Sequence, residues 1–387
     1  MLQKLSLGVG VLLVLALAAL PRSAAAATPT SGLAIRSVTR DLPLQNALWH
    51  YGDSGGGWTG ADSTYSAPLP DGADAWIFSD TFLGAVNADG SRPAGAPFIH
   101  NSIVAQQGDR FTTVTGGTRQ RPQSLFGPTP SGPPTDPATQ NSDWYWSGDG
   151  IVEPPPETSQ ARLRGDPGEG PTLRVFGLHF VSTGTGSFDF AWKDDAIATL
   201  SLPDLRLESL TPTYSAGNVT WGSWLMNDGP WTYVYGVEDL GSVKYLHLAR
   251  ARRGDLLGAW QFDTGSGWSS DPAASGRLLG GIGNEFSVTR QGDRFVLITF
   301  DTTVPLGNEI VAYQAPSPAG PFTGRTHVWS APETGGNLFA YNAHAHPELG
   351  SANRLVVSYN VNSFALADVY ANVADYRPRF LDVELGS

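Results

Sequence analysis

What most constrains this chain is a phrase that recurs five times along it: a turn built on Gly, Asn or Asp, a short strand, a tight turn, then a strongly apolar strand. The first copy spans residues 60–66, a turn at 70–72 and an apolar run at 75–82, with a third run at 101–106. The second holds 144–152 and 173–181. The third holds 219–226, the turn Asn227-Asp228-Gly229, then 231–235 and 245–249. The fourth is the most regular, with 284–290, the turn Gln291-Gly292-Asp293, then 295–300 and 310–313. The fifth holds 338–346, a turn at 350–353 and 355–359. Units of three or four strands at spacings of about 40–85 residues fit propeller blades with variable loops better than a jelly roll. The expected fold is therefore all-β, a five-bladed β-propeller in one domain. Residues 35–49 and the terminal strand at 380–385 are expected to pair and close the ring, with almost no helix.

Composition agrees where it bears on this. The 46 Gly and 29 Pro punctuate short Val-, Thr- and aromatic-rich runs, the pattern of many strands joined by turns. Charged residues are only 16% of the chain, which excludes a tail-like disordered protein. There is no cysteine, so stability must come from burial and sheet hydrogen bonds. Two Pro-rich stretches, 121–139 and 153–171, read as surface loops within the second blade.

The N-terminus reads as a targeting signal. Lys4 precedes an apolar run over 5–20 and small residues over 23–27, which is shorter than the roughly 20 apolar residues of a spanning helix. Residues 1–27 are thus expected to be cleaved on export, leaving 28–387 as the propeller, a secreted monomer without a membrane anchor. Cleavage removes Lys4 and Arg22 and no acid, so the formal net charge moves from −12 to −14. That charge disfavours nucleic acid and anionic lipid as partners.

Several motifs invite a chemical reading. Gly52-Asp53-Ser54-Gly55-Gly56 matches serine-hydrolase signatures, but neither context follows: the mature chain has only His50 upstream, and no strand–turn–helix surrounds Ser54. A Gly-rich loop leading into the first blade is the better reading. His344 and His346, two apart on a strand, would face the same side and could share a ligand. No metal signature is present and no cofactor is expected, with a structural Ca²⁺ the one ion worth considering. The sequon Asn218-Val219-Thr220 carries no weight without the host.

Acidic residues at the starts of inner strands are more informative, because a propeller gathers those starts around one axis. Asp62 heads the first such strand, Asp149 lies in Ser147-Gly148-Asp149-Gly150, and Glu285 heads the fourth. Asp80 stands between Phe78 and Phe82 in an otherwise apolar run, where an unpaired charge would be costly. Each has a structural reading as well: an Asx-turn, a Gly turn, or a partner for an arginine. Cleaving a glycosidic bond takes two carboxyls, one protonated and one ionised. Asp62, at a Gly-flanked strand start, is the expected ionised partner, and Asp80, between two rings, the expected proton donor. Trp58, Trp144, Trp146, Trp221 and Trp224 cluster near the first three unit starts, and flat amphipathic rings suit sugar faces.

Residues 60–66, Leu69-Pro70-Asp71-Gly72, 77–84 and His100-Asn101-Ser102 resemble the opening blade of secreted bacterial propeller families long labelled domains of unknown function. Those are similar to five-bladed propeller glycosidases, one branch of which contains endo-D-arabinanases. The resemblance is specific over about residues 50–106 and only blade-like beyond. It implies a sugar-cleaving pocket, with Asp62 and Asp80 where such families place acidic residues. The glutamate that the wider arabinanase group carries in its third blade has no clear counterpart there; Glu285 stands in the fourth unit. The expected function is hydrolysis of a furanoside-containing polysaccharide such as arabinan. Asp62, Asp80, Asp149 and Glu285 are the candidate catalytic residues, and Trp58, Asn101, Trp146, Trp221, His344 and His346 the candidate substrate contacts. The rival expectation is a non-catalytic carbohydrate-binding propeller.

Overall fold

The computed structural model describes residues 32–128, 142–155, 170–186 and 188–386. The signal expected at 1–27 lies outside the described residues, as does most of both Pro-rich stretches.

Five antiparallel sheets form the blades, and the first four run in chain order from an innermost strand outward. Blade one is Tyr65–Pro68, Asp74–Phe78, Ser102–Gln107 and Arg110–Val114. Blade two is Asp143–Glu153, Thr172–Ser182, Phe190–Ser201 and Leu207–Pro212. Blade three opens with Val219–Asp228, Trp231–Asp239 and Lys244–Arg252, and adds short outer strands. Blade four is Phe286–Gln291, Arg294–Phe300, Glu309–Ala315 and Thr323–Ser330. Blade five takes Leu338–Ser351, Arg354–Ser363 and Pro378–Leu385, and its outermost strand is Ile35–Arg40 from the other end of the chain. The innermost strands touch in a closed ring, one to two to three to four to five and back to one.

The strands lie between neighbouring blades and are covered on both faces, which is why their sequences read as continuous apolar runs rather than strict alternation. Val296 and Ile298 of blade four pack with Leu355 and Val357 of blade five, all at most 1% exposed. Burying each such side chain contributes roughly 1.5–3 kcal/mol. With no disulfide available, polar side chains staple every neighbouring pair. Ser147 N donates to Ser79 Oγ (3.0 Å) between blades one and two, and Leu225 N to Asp149 Oδ2 (2.7 Å) between two and three. Trp224 Nε1 donates to the Val288 carbonyl (2.7 Å) between three and four, and Ala345 N to Ser287 Oγ (2.9 Å) between four and five. His344 Nε2 reaches the Thr64 carbonyl (2.9 Å) between five and one.

The ring closes as the sequence suggests, but over fewer residues. Pairing runs from Ile35↔Leu385 to Arg40↔Leu381. Residues 42–53, expected to extend that strand, form a helix instead. Asp41 accepts the Leu44 amide as its N-cap, and Pro43 sits in the first turn, so the chain is committed to a helix start. A second short helix, Leu366–Ala371, follows blade five. Among the described residues no helix is long and apolar enough to cross a membrane.

Three of the five inner strands carry a bulge at a matching level: Ser147/Gly150, Trp221/Trp224 and Tyr341/His344. Gly222, at φ +92°, makes its bulge possible, since a Cβ there would meet the Phe176 ring at 2.1 Å. Blade one departs further. Each of its first three strands continues beyond the blade into a small separate sheet of Gly57–Ala61, Thr81–Gly84 and Phe98–Ile99.

Candidate active site

Two of the three crossings between blade one and that small sheet carry an acid. The first is Asp62-Ser63-Thr64, where Ser63 and Thr64 adopt φ +67° and +66°. The second is Ser79-Asp80. Asp80 therefore does not lie within an apolar strand, as its flanking phenylalanines suggest, but at a corner where the strand breaks. The corners are bonded together: Asp62 N donates to the Asp80 carbonyl (3.3 Å) and Ser79 N to the Asp62 carbonyl (3.2 Å). Two consecutive left-handed residues other than Gly cost about 1–2 kcal/mol each, and such strain persists only where the surroundings impose it. Here Asn360 Nδ2 holds Thr64 Oγ1 (2.9 Å) while His344 holds the Thr64 carbonyl.

The two carboxyls have different surroundings. Asp62 Oδ2 accepts the Tyr341 hydroxyl (2.8 Å), while Oδ1 is buried without a partner. Burial, and then the negative charge of Asp80, push the Asp62 carboxyl up to about 7, against the opposing hydroxyls of Tyr341 and Tyr376. Asp80 Oδ1 accepts from Trp146 Nε1 (2.7 Å) and is paired with His100 Nδ1 at 2.7 Å, and 18% of its side chain stays exposed. Asp62, expected to be the ionised partner, is thus the carboxyl with the raised pKa, and Asp80 is the one held by two ring N–H groups.

Glu285, just before the inner strand of blade four, joins them. Its Oε1 accepts from Ser63 Oγ and Asn342 Nδ2, both at 2.7 Å, while Oε2 is buried without a hydrogen bond. Burial first, then the charge of Asp62, hold its carboxyl well above the usual range. His344 reinforces this. A carbonyl can only accept, so Nε2 carries the proton toward Thr64 and Nδ1 is bare, 3.7 Å from Glu285 Oε2. Burial pulls His344 down to about 4, so it stays neutral and offers that oxygen no cation.

The remaining candidates separate by depth. Trp146 stands beside Asp80, with its ring 4.5 Å from Phe180 and 4.9 Å from Phe190. Asp149 is a buried staple: its carboxylate accepts the Gly150 and Leu225 amides, and it offers no open face. Trp58 and Trp221 are both 0% exposed, inside apolar clusters of blades one and three, so neither ring has a face for a ligand. Asn101, also fully buried, clamps the Phe126 and Tyr145 carbonyls. His346 is fully buried, with Nδ1 on Ser66 Oγ (2.6 Å). Ser54 ends the first helix with its hydroxyl donating to the Tyr51 carbonyl (2.6 Å). Among the described residues, no group of three or more His, Asp or Glu could hold a metal ion.

The residues that sequence reasoning missed are Ser63, Tyr341, Asn342 and Tyr376. A signal for two of them exists. Tyr341-Asn342-Ala343-His344 interrupts an inner strand as Trp221-Gly222-Ser223-Trp224 does, and Asn342 takes φ +56°, a conformation Asn tolerates.

A family described as a domain of unknown function (DUF5005) matches residues 45–385. No curated protein matches the chain. Among solved structures, the chain is similar to a Bacteroides ovatus ATCC 8483 protein provisionally assigned as a hydrolase. The TM-score is 0.70 at 20% identity, over 89% of this chain and 90% of that one. Looser likenesses include an α-L-arabinofuranosidase of Podospora anserina in complex with cellotriose (TM-score 0.45, 11% identity, 86% of this chain and 93% of that one). Another is an exo-β-1,3-galactanase of Phanerochaete chrysosporium (TM-score 0.45, 9% identity, 85% of this chain and 63% of that one). The Bacteroides likeness establishes a shared fold, and the family match runs from the first helix to the last strand of the ring: the chain belongs to the DUF5005 family.

Proposed function

We propose that this protein is a secreted glycoside hydrolase acting on a furanoside-containing polysaccharide such as arabinan, with Asp62 and Asp80 as its working carboxyls. The observation that carries the reading is the split between two adjacent acids at one corner, one pushed up to about 7 and the other surrounded by N–H donors. That is the division of labour glycoside hydrolysis requires. Asp62, neutral below about pH 7, gives its proton to the departing glycosidic oxygen as the C–O bond breaks. Asp80, part of whose side chain is exposed, acts as base or nucleophile: it either takes a proton from the attacking water or bonds to the anomeric carbon itself, in which case water cleaves that bond in a second step. Glu285 keeps Ser63 and Asn342 in place behind Asp62. The chemistry is carried by carboxyls, and the protein works as a monomer outside the cell. The furanoside preference is supported by the resemblance of the opening blade to the arabinanase-type glycosidases, and sugar binding by the rings beside Asp80.

The test is release of reducing ends from a panel of plant and mycobacterial polysaccharides by the purified mature protein. At least one furanoside-containing polymer is expected to be degraded. The Asp62→Asn/Asp80→Asn protein is expected to lose at least about 10²–10⁴-fold of that rate, the usual worth of a general acid or base. A folded wild type that binds these polymers without cleaving any would leave the non-catalytic binding reading in its place.

A further inference from the structure

From the carboxyl pair a run of side-chain contacts leads out and back, joined by the chain itself at residues 188–190 and by backbone at the acids. From Asp62 it passes to Tyr341 (2.8 Å), whose ring lies 5.2 Å from Phe339, and Phe339 stacks on Phe364 at 4.5 Å and 28°. Phe364 lies 5.9 Å from Phe188. Two residues on, Phe190 packs against Trp146 at 4.9 Å, and Trp146 bonds Asp80. The backbones of Asp80 and Asp62 complete the circuit. Phe188 stands between the second and third strands of blade two, and Phe364 follows the second strand of blade five. Blade one separates those blades in the ring, so the two loops meet across the blade that carries the acids.

Phe188 and Phe364 are 56% and 49% exposed; Phe364 stacks on Phe339, and Phe188 lies against Phe364. Exposed rings of this kind cost solubility and add little to the core, so their place on this frame calls for a ligand. None of the framing residues is Lys or Arg, so the frame offers no charged partner to a uronate or a sulfated sugar. Building on the proposed hydrolase, we infer that Phe188 and Phe364 form an outer sugar subsite, which stacks on a neutral glycan chain one or more residues away from the bond held at Asp62 and Asp80. The frame selects chains over short fragments, because a fragment confined to the carboxyl corner never reaches the two rings.

The test separates this inference from the hydrolysis on which it rests. In an Asp80→Asn background, which keeps the polymer intact, affinity electrophoresis through gels containing neutral polysaccharides compares the parent with added Phe188→Ala or Phe364→Ala. Each alanine variant is expected to weaken retardation by about tenfold in affinity, the worth of roughly one aromatic contact. Phe364→Tyr should restore it. Leu257→Ala, at a half-exposed residue that belongs to neither the frame nor the acidic corner, should change nothing. Alanine variants within twofold of the parent would overturn the inference even if the wild type hydrolyses the polymer. A parent retarded by no neutral polysaccharide would overturn it as well. Phe-dependent retardation by a protein that cleaves nothing would sustain the subsite and sink the hydrolase.

Discussion

Blades four and one share an architecture and differ in what they are built to do. In blade four the first two strands pair without a break from Phe286↔Thr299 to Gln291↔Arg294, and almost every side chain of the inner strand is buried. In blade one the corresponding strands part after a few residues, turn outward through Asp62-Ser63-Thr64 and Ser79-Asp80, and pair again in a second small sheet. Regular pairing satisfies every backbone group and leaves nothing to react. The broken blade sets two carboxyls at a strained corner, where His100 of the same blade and Tyr341 and Trp146 from its neighbours reach them. In this fold stability comes from the repeat, and reactivity from the places where the repeat fails.

That contrast can be broken by substitution. Asp80→Asn should lower turnover on a polymer the wild type degrades by about 10²–10⁴-fold with little change in melting temperature, since the amide keeps the shape of the acid but cannot ionise. Its counterpart in the regular blade, Ser287→Ala, should do the opposite. It leaves the buried Ala345 amide unpaired, costing about 1–3 kcal/mol and some degrees of melting temperature, while turnover stays within about twofold. If Ser287→Ala cost as much activity as Asp80→Asn, the division between the blades would be wrong.

A smaller effect sharpens the account of the corner itself. Trp146→Phe keeps a ring against Phe180 and Phe190 but removes one N–H donor from Asp80. Turnover should fall by about tenfold, the worth of a hydrogen bond to a charged group, with KM nearly constant. A rise in KM at constant kcat would instead assign Trp146 to sugar stacking alone.

The scaffold was legible in the sequence because its cause is local. Apolar runs and Gly-containing turns recur blade by blade, and even the bulges leave a trace in Ser147-Gly148-Asp149-Gly150 and Trp221-Gly222-Ser223-Trp224. Asp62 and Glu285 were legible as acids at strand starts, and Asp80 as an acid in an apolar run. The raised pKa of Asp62 was not, because it comes from burial and then from the neighbouring charge of Asp80, and neither the burial nor that juxtaposition is written in the local sequence. Nor does the sequence distinguish a tryptophan that faces a ligand from one that fills a blade. Trp58 and Trp221 stand as near the strand starts as Trp146 does, and only packing shows that they are sealed. Asp149 misled for a related reason: Asp in a Gly turn looks free, and here its carboxylate joins blades two and three. The helix at 42–53 was hidden because an Asp cap and an early Pro interrupt a stretch that otherwise reads as a continuation of the closing strand.

The central claim is that a neutral Asp62 donates the proton while Asp80 serves as base or nucleophile, and the pH dependence of kcat/KM tests it most directly. That ratio reports the ionisations of the free enzyme. A proton donor works only while protonated, and the Asp62 carboxyl is pushed up to about 7. The rate on a polysaccharide should therefore fall as pH rises through about 7, tending to a tenfold loss per unit beyond it. A rate that is flat or still rising between about pH 6 and 9, in protein that remains folded throughout, would contradict the account.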